Sequence, residues 1–341
     1  MPAPETGALL GPGDVGTTER EALATRAVVV PRTDLARFRL TGGGRVTCLQ
    51  GLVTCDLAQP GDGAYVFGAL LTAKGMIVAP LWITRLADAM LVDAPADAAA
   101  AVAATFERSL PPRLCRWDDV TAASAAVGVY GPRAPALLSA VVAGVLPEQG
   151  RAALLEGDGV AIAAARVAAR GVDGFDCAVA ADRASSLVER LLEAGALPAS
   201  PALLEERRIL AGFPRTGAEI DDRTLPQEVR FDELGGVSYT KGCYLGQETV
   251  ARVHFRGHAN RRLAGVALAS RPPALPCVLA VDGQAVGRLS SACWWDAGGI
   301  WAGLGIVRMG LASGGRVALP DGSVGTIREL PWSREREDHA P

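Results

Sequence analysis

The feature of this 341-residue chain that most constrains its fold is a change in the pattern of apolar segments at Arg262. After Arg262 the apolar segments are short and are separated by Gly, Pro and Asp, and no helical period is present. Short strands with frequent turns are typical of an all-β unit. The sequence therefore predicts a small C-terminal β-barrel over 263–332, with strands at 263–268, 278–281, 285–289, 300–307 and 316–319.

The region before Arg262 mixes strands and helices without strict alternation, which favours an α+β fold over a doubly wound parallel sheet. Strands are predicted at 28–31, 37–40, 65–71, 77–84, 127–130 and 161–168, and helices at 97–110, 133–145, 182–194 and 201–210. Residues 1–25 are rich in Pro, Gly, Thr and acidic groups and are expected to be a disordered lead. Residues 333–341 form a solvated, charged tail.

Charge and hydropathy exclude several classes of protein. The net charge of −3 argues against strong nucleic-acid binding, for which a domain pI above about 9 is typical. Outside an alanine-rich tract no window of about 18 residues is apolar and free of charge, so no membrane association is expected. The N-terminus lacks the basic start and apolar block of a secretory signal. The seven scattered cysteines indicate reduced thiols, and a cytoplasmic location is expected.

The two lysines stand out against a strong bias toward arginine. All of the 34 basic residues except Lys74 and Lys241 are Arg. Lysine carries a compact charge that its surroundings can tune, whereas arginine has a planar fork and stays protonated. In this background, Lys74 and Lys241 are candidates for positions where the function requires lysine. The alternative is that these two lysines remain by chance.

The rare residue types converge on residues 222–262. This segment holds Lys241, the single asparagine, two of the three histidines and Cys243, and glycines and aromatics are frequent across 235–246. Such a composition predicts a loop that approaches a ligand closely, followed by a short helix or strand at 247–253. A neighbouring lysine favours the nucleophilic thiolate form of Cys243, and the alternative is a buried structural thiol.

Other candidates in this segment are weaker. His254 and His258 have a spacing that zinc sites use, but further ligands are missing nearby, so no metal is predicted. Four arginines form a local basic patch that could bind an anion or RNA, or simply be solvated: Arg252, Arg256, Arg261 and Arg262. Phosphate-binding, zinc-protease and serine-hydrolase motifs are absent from the sequence.

The string KGCYLGQE at 241–248 resembles the signature of the YgfZ-type folate-binding proteins, which share a fold superfamily with the aminomethyltransferase (T protein) of the glycine cleavage system. Weaker resemblances to that family occur in order at 38–42, 49–56, 71–77, 171–176, 208–215 and 286–291. The resemblance implies a three-lobed ring around a tetrahydrofolate pocket, with two α+β subdomains over 26–262 and a C-terminal barrel. It also implies a role in assembly or repair of iron–sulfur clusters, including those of tRNA-modifying enzymes.

The resemblance assigns functional roles to Lys241 and Cys243. Cofactor-binding roles are expected for Lys241, Tyr244, Gln247, Glu248, Asp176, Arg208 and Arg215, with Asp176 accepting N–H bonds from a pterin edge. Because the lysine escaped the arginine bias, we expect it to contact the folate rather than only to stabilise a thiolate. The partners implied are iron–sulfur client enzymes or assembly proteins, and a monomer is expected.

Departures from the pattern bear on activity. T proteins carry an acidic pair where this chain has Val-Ala-Pro-Leu at 78–81, so a proton relay for methylene transfer would lack its acid. Leu210 and Asp176 stand where the family often has Glu. A folate-binding accessory factor is therefore favoured. The alternatives are a conventional folate-dependent C1-transferase and a non-catalytic scaffold.

Overall fold

A computed structural model of the chain describes residues 7–332. In chain order the strands are β1 (Leu9–Leu10), β2 (Val28–Pro31), β3 (Leu35–Thr41), β4 (Tyr65–Leu71), β5 (Ile77–Arg85), β6 (Met90–Pro95), β7 (Arg116–Asp119), β8 (Ser124–Tyr130), β9 (Ala152–Gly157), β10 (Val160–Ala169), β11 (Val172–Ala180), β12 (Leu197–Pro198), β13 (Arg261–Leu268), β14 (Cys277–Val281), β15 (Gln284–Trp295), β16 (Ile300–Arg308), β17 (Arg316–Ala318) and β18 (Val324–Arg328). The helices are α1 (Thr17–Thr25), α2 (Arg45–Gln50), α3 (Ala99–Ser109), α4 (Ala134–Val141), α5 (Ala184–Glu193), α6 (Pro201–Ala211) and α7 (Gln247–Arg256).

The strands form three sheets, one for each of three lobes. The first lobe has the strand order β4-β5-β6-β3-β7, and α3 packs on it through Phe106, whose ring meets Phe38 edge-on at 5.6 Å. The second lobe has the order β12-β2-β8-β11-β10-β9. Its core includes Leu138 of α4 and Leu191 of α5, both fully buried. Amphipathic helices on one face of a sheet are the usual way in which an α+β fold closes its core.

The third lobe is a closed antiparallel barrel. Its six strands follow the order β15-β14-β17-β18-β13-β16, and β16 pairs back to β15. Closure leaves no free sheet edge, which is how small barrels avoid edge-to-edge association. The predicted α+β fold with a C-terminal barrel is confirmed. Within the described residues, none of the helices combines the length and the apolar character that a bilayer span requires.

The expectation of a disordered lead over 1–25 is wrong for residues 7–25. The short strand β1 pairs in parallel with β15, and α1 packs between the second lobe and α6. Val15 and Ala22 are buried in a cluster with Leu203, and Arg20 forms an ion pair with the buried Glu206. The apolar residues of this segment are few, but their spacing places them on one side of the chain. Residues 1–6 and the tail 333–341 lie outside the described part.

The remaining differences concern several strands, one helix and one helix end. The helix predicted to reach residue 145 ends at Val141, and the sequence does not predict β6, β7, β9, β11, β12, β18 or α2. Strand β7 reads Arg-Trp-Asp-Asp and is mostly exposed, so it has no apolar alternation to detect. Its place in the sheet comes from pairing with β3, which is a tertiary interaction.

The ion pair of α1 provides a test of the ordered N-terminal segment. Arg20→Ala should lower the free energy of unfolding by roughly 1–3 kcal/mol, because it deprives the buried Glu206 carboxylate of two donors. The matched control Arg183→Ala removes an exposed pair with Asp182 and should change stability by less than about 0.5 kcal/mol. Urea unfolding measures both. Equal effects of the two substitutions would contradict the docking of α1.

Candidate functional site

A cavity of about 430 Å³ lies between the first two lobes and α6. Strand β5 and the 3-10 turn after β6 form one wall, the segments after β2 and β10 form another, and α6 with the segment that follows it forms the third. Its size falls within the range of about 300–1,000 Å³ that is usual for small-molecule sites. The cavity is lined by Pro31, Arg32, Asp34, Leu35, Pro80, Trp82, Pro95, Ala96, Asp97, Arg170, Val172, Pro201, Ala202, Leu204, Glu205, Arg208, Phe213, Pro214, Arg215 and Thr216.

Two aromatic rings and two polar atoms make the cavity suited to a flat, polar ligand. The rings of Trp82 and Phe213 stack at 6.1 Å with an interplanar angle of 26°. The indole N–H of Trp82 and the hydroxyl of Thr216 are buried and have no hydrogen-bond partner within residues 7–332. A buried donor without a partner costs free energy, so a ligand that accepts from it would gain affinity.

A carboxylate–arginine pair on α6 borders the same cavity. Arg208 donates from Nε and Nη2 to the two oxygens of Glu205 at 2.8 and 2.7 Å. Burial acts to raise the pKa of Glu205, but the charge and hydrogen bonds of Arg208, together with Arg215, outweigh it and the pKa is lowered. Glu205 is therefore an anion near neutral pH, with lone pairs left for donors on a ligand.

A second buried carboxylate, Asp176, organises the wall between the first and second lobes. One of its oxygens accepts from the hydroxyl of Tyr130 and from Arg32. The other accepts from Arg170 at 2.9 Å and from the hydroxyl of Tyr65 at 3.3 Å. Burial tends to raise the pKa of Asp176, but the two guanidinium groups and the tyrosine hydroxyl outweigh it, so the pKa is lowered.

The expected pterin contact of Asp176 stays a prediction. Both oxygens already accept bonds from protein groups, and Asp176 does not line the cavity. Asp176 binds and orients Arg170, whose guanidinium lies over the ring of Trp82 at 4.5 Å from the ring centre. The side chain of Asp176, which is shorter than a Glu, ends within this hydrogen-bond network and does not line the cavity.

The other predicted residues divide between the cavity and the loop. Arg208 and Arg215 both line the cavity, and their expected cofactor contacts stay predictions. Arg208 is buried, and its donors are occupied by Glu205, Glu219 and the barrel residue Ser291, among others. Lining residues missed from the sequence include Trp82, Arg170 and Glu205. Glu205 could have been found, because it lies three residues before Arg208 and shares its helix face.

Substitution of Asp176 tests the network that forms the wall. Asp176→Asn should lower the free energy of unfolding by about 3 kcal/mol, because it leaves buried guanidinium charges without their anion. The control Asp173→Asn, on the same strand, breaks an exposed pair with Arg166 and should cost less than about 1 kcal/mol. Because the folded-state pKa is lowered, the contribution of Asp176 is present above about pH 4 and is lost as the pH falls below it. The difference between wild type and Asp176→Asn should shrink in that acid range, as measured by denaturant unfolding at several pH values. A constant difference down to pH 2.5 would contradict the assignment.

Residues 235–246, here called the Cys243 loop, do not line the cavity. Cys243 is exposed, and Gly242 beside it is exposed as well. Lys241 is 8% exposed, and its ammonium donates to the main-chain oxygens of Gln50, Val53 and Cys55 at 2.7 Å each. Lys241 does not line the cavity.

The rest of the signature supports this loop. Tyr244 is buried, and its ring centre lies 5.1 Å from the Lys241 ammonium. The side-chain oxygen of Gln247 accepts from the backbone N–H of Tyr244 at 3.2 Å, whereas Glu248 is exposed in the first turn of α7. Tyr244, Gln247 and Glu248 do not line the cavity. Their expected folate contacts stay predictions.

Glycine is required where α7 begins. Gly246 has φ +83°, and a Cβ there would lie 2.5 Å from the carbonyl oxygen of Thr72 and 3.0 Å from the Cα of Gly75. The turn between β4 and β5 therefore packs directly against the start of α7. This contact places the Cys243 loop beside the same hairpin whose second strand, β5, lines the cavity.

The histidines and arginines near the loop do not converge on one centre. His254 stacks on Tyr239 at 3.6 Å, and the neighbouring Phe255 is 67% exposed. Arg261 forms an ion pair with Glu228, and Arg262 with Glu329. Over the part of the chain that the structure describes, no group of three or more His, Cys, Asp or Glu side chains is arranged to hold a metal.

The profile of the family described as GCVT N-terminal domain matches residues 14–234, more than half of the chain. The chain belongs to the GCVT family. The matched range contains the sheets of the first two lobes and all of α6. It therefore includes every residue that lines the cavity.

Relatives within the GCVT family carry different names at similar distance. The chain is 29% identical to an aminomethyltransferase of Rubrobacter xylanophilus over 329 residues, covering 94% of this chain and 87% of the relative. It is 29% identical to the tRNA-modifying protein YgfZ of Yersinia enterocolitica over 319 residues, covering 88% and 91%. It is 27% identical to a putative chloroplastic transferase of Arabidopsis thaliana over 320 residues, covering 92% and 72%.

The fold is that of a solved family member. The chain superposes on the glycine cleavage system aminomethyltransferase T from Bartonella henselae with a TM-score of 0.81, over 92% of this chain and 88% of that one. Sequence identity is 20%, so the comparison establishes the shared three-lobed architecture. It does not choose between the activities that the relatives' names suggest.

Proposed function

We propose that this GCVT-family protein binds a tetrahydrofolate derivative in the central cavity. The observation that carries the proposal is the chemistry of the lining, which combines stacked aromatic rings, an ionised carboxylate and donors without partners. A reduced pterin is flat, carries N–H donors and carbonyl acceptors on one edge, and is joined to a carboxylate-bearing tail. The membership in the GCVT family supports the same ligand class.

Each part of such a ligand has a counterpart in the cavity. Glu205 retains acceptor capacity for the N–H edge of a pterin, and the indole N–H of Trp82 is available to donate. Arg215 lines the cavity, is partly exposed and offers charge to a tail carboxylate. Lining prolines and Phe213 exclude water from the flat faces of the ring.

Removal of the carboxylate provides the test for this ligand. Glu205→Gln should weaken binding of 5-formyltetrahydrofolate by about tenfold or more, because charge-assisted bonds are roughly twice as strong as neutral ones. Glu193→Gln, an exposed change on α5, is the matched control and should bind like wild type. Calorimetry gives the affinities, and wild type at about 100 times the dissociation constant should gain about 2.7 kcal/mol of stability. A wild-type protein that shows neither heat nor stabilisation would refute the proposal.

We further propose that the protein is an accessory factor in assembly or repair of iron–sulfur clusters, acting on client enzymes or assembly proteins. The exposed thiol of Cys243 supports this role, since a thiolate can act as a nucleophile or as a transient metal ligand. The other cysteines are buried or half-buried, so Cys243 is the thiol that a partner can reach within the described chain. The YgfZ relatives support the proposal by likeness.

Aminomethyl transfer is the second candidate, because the Rubrobacter relative is as similar as the YgfZ relatives. The cavity disfavours it. Strand β5 presents Pro80 and Trp82 to the cavity, with no carboxylate. The carboxylates of Asp34, Asp97 and Glu205 do border the cavity. For Asp34 and Glu205, ion pairs with Arg32 and Arg208 outweigh burial and lower both pKa values, which makes these two poor proton donors.

Replacement of the thiol separates the two candidates. Cys243→Ser should fold like wild type, because the side chain is exposed, yet it should fail to restore iron–sulfur enzyme activity in a deletion strain. Cys48→Ser, at a half-buried thiol, is the control and should restore activity. In the same series, transfer from aminomethyl-lipoyl protein to tetrahydrofolate should stay near background. Full restoration by Cys243→Ser would contradict the role of the thiol, and transfer at the rate of a T protein would favour the second candidate.

A further inference from the structure

The Cys243 loop is fastened to one short segment of the first lobe, residues 50–55. Thr54 donates from its hydroxyl to the carbonyl oxygen of Gly236 at 2.5 Å and accepts at its own carbonyl from the N–H of Ser238 at 2.9 Å. Further along, the N–H of Leu245 donates to the carbonyl oxygen of Gly51 at 2.9 Å. The loop therefore has fixed points on both sides of Cys243.

Lys241 supplies a further fixed point, two residues before the thiol. Its ammonium donates to three carbonyl oxygens of the 50–55 segment at 2.7 Å each, namely those of Gln50, Val53 and Cys55. An ammonium has three N–H donors, and all three have an acceptor here. We call this arrangement the carbonyl socket.

The socket explains why a lysine is present at a position where the chain's bias would favour arginine. Three carbonyls that converge on one nitrogen match the compact head of lysine. A guanidinium spreads its donors in a plane and is too wide to place one nitrogen within 2.7 Å of all three oxygens. Burial lowers the pKa of Lys241 to about 8, so the amine is still mostly protonated at pH 7.

We propose that Lys241 is a positioning residue whose ammonium, seated in the carbonyl socket, holds Cys243 in its exposed, reactive placement. The proposal rests on the proposed function in so far as Cys243 is the functional thiol. It differs from a folate contact, because the cavity lining does not include Lys241. It also differs from a direct hydrogen bond to the thiolate, because the three N–H donors of the ammonium are all directed at carbonyls.

Amide hydrogen exchange tests the socket without assuming any activity. In Lys241→Ala and Lys241→Arg the N–H groups of Ser238 and Leu245 should exchange faster by about tenfold or more, because the loop opens locally. Added n-propylammonium, which replaces the missing part of the side chain, should restore slow exchange in Lys241→Ala. Tetramethylammonium carries the same charge but no N–H donors, so it should not restore slow exchange. Lys74→Arg, at the other lysine of the chain, should exchange like wild type.

Complementation of the deletion strain tests whether the socket is needed for function. Lys241→Arg should lose iron–sulfur enzyme activity while keeping wild-type affinity for 5-formyltetrahydrofolate, and Lys74→Arg should keep both. If Lys241→Ala does not fold alone, propylammonium-dependent folding supports the socket, and failure to fold at any concentration overturns it. Unchanged exchange in both Lys241 variants, or full complementation by Lys241→Arg, also overturns it. Failure of the proposed function would instead be seen as complementation by Cys243→Ser, whatever the exchange rates.

Discussion

Two buried carboxylate–arginine clusters connect the three lobes. Asp176 of β11 joins Arg32, Arg170 and the hydroxyls of Tyr65 and Tyr130, which brings the first and second lobes together. Arg208 of α6 joins Glu205 and Glu219 and reaches the barrel through Ser291. Both clusters contribute residues to the cavity lining, namely Arg32 and Arg170 from the first and Glu205 and Arg208 from the second. The interactions that connect the lobes therefore also determine the polarity of the cavity walls.

Buried ion pairs are weak evidence for stability, because desolvation offsets most of their attraction. Their orientation is more informative. A guanidinium that is committed to two carboxylates cannot turn toward a ligand, which applies to Arg208, whereas Arg215 has a single distant partner in Glu205 at 3.8 Å. The cavity therefore combines a rigid inner surface with an adaptable charge at its rim, an arrangement suited to a ligand with a fixed ring and a flexible anionic tail.

The sequence predicted the fold class, most of the strands and the loop that carries Cys243, because these depend on local patterns of apolar residues and glycine. It could not predict which chemical group each polar residue would face. The rarity of lysine drew attention to Lys241, for which a folate contact was expected, whereas the acceptors of its ammonium are main-chain carbonyls 186–191 residues away in sequence. Asp176 was singled out by a motif, yet its partners come from four separate segments of the first two lobes. Such assignments are tertiary, and no periodicity encodes them.

The cavity and the thiol are separate sites that share one packed wall. Trp82 and Phe213 line the cavity, and Phe67 packs against both, with ring centres 5.6 and 5.1 Å away. On its other side Phe67 meets Gly236, where a Cβ would lie only 2.7 Å from the ring, so the first residues of the Cys243 loop rest directly on this aromatic cluster. Phe67 is therefore a shared contact between the cavity wall and the Cys243 loop. Because packed interiors have few voids, a change of side-chain volume at Phe67 would be felt on both sides of this wall.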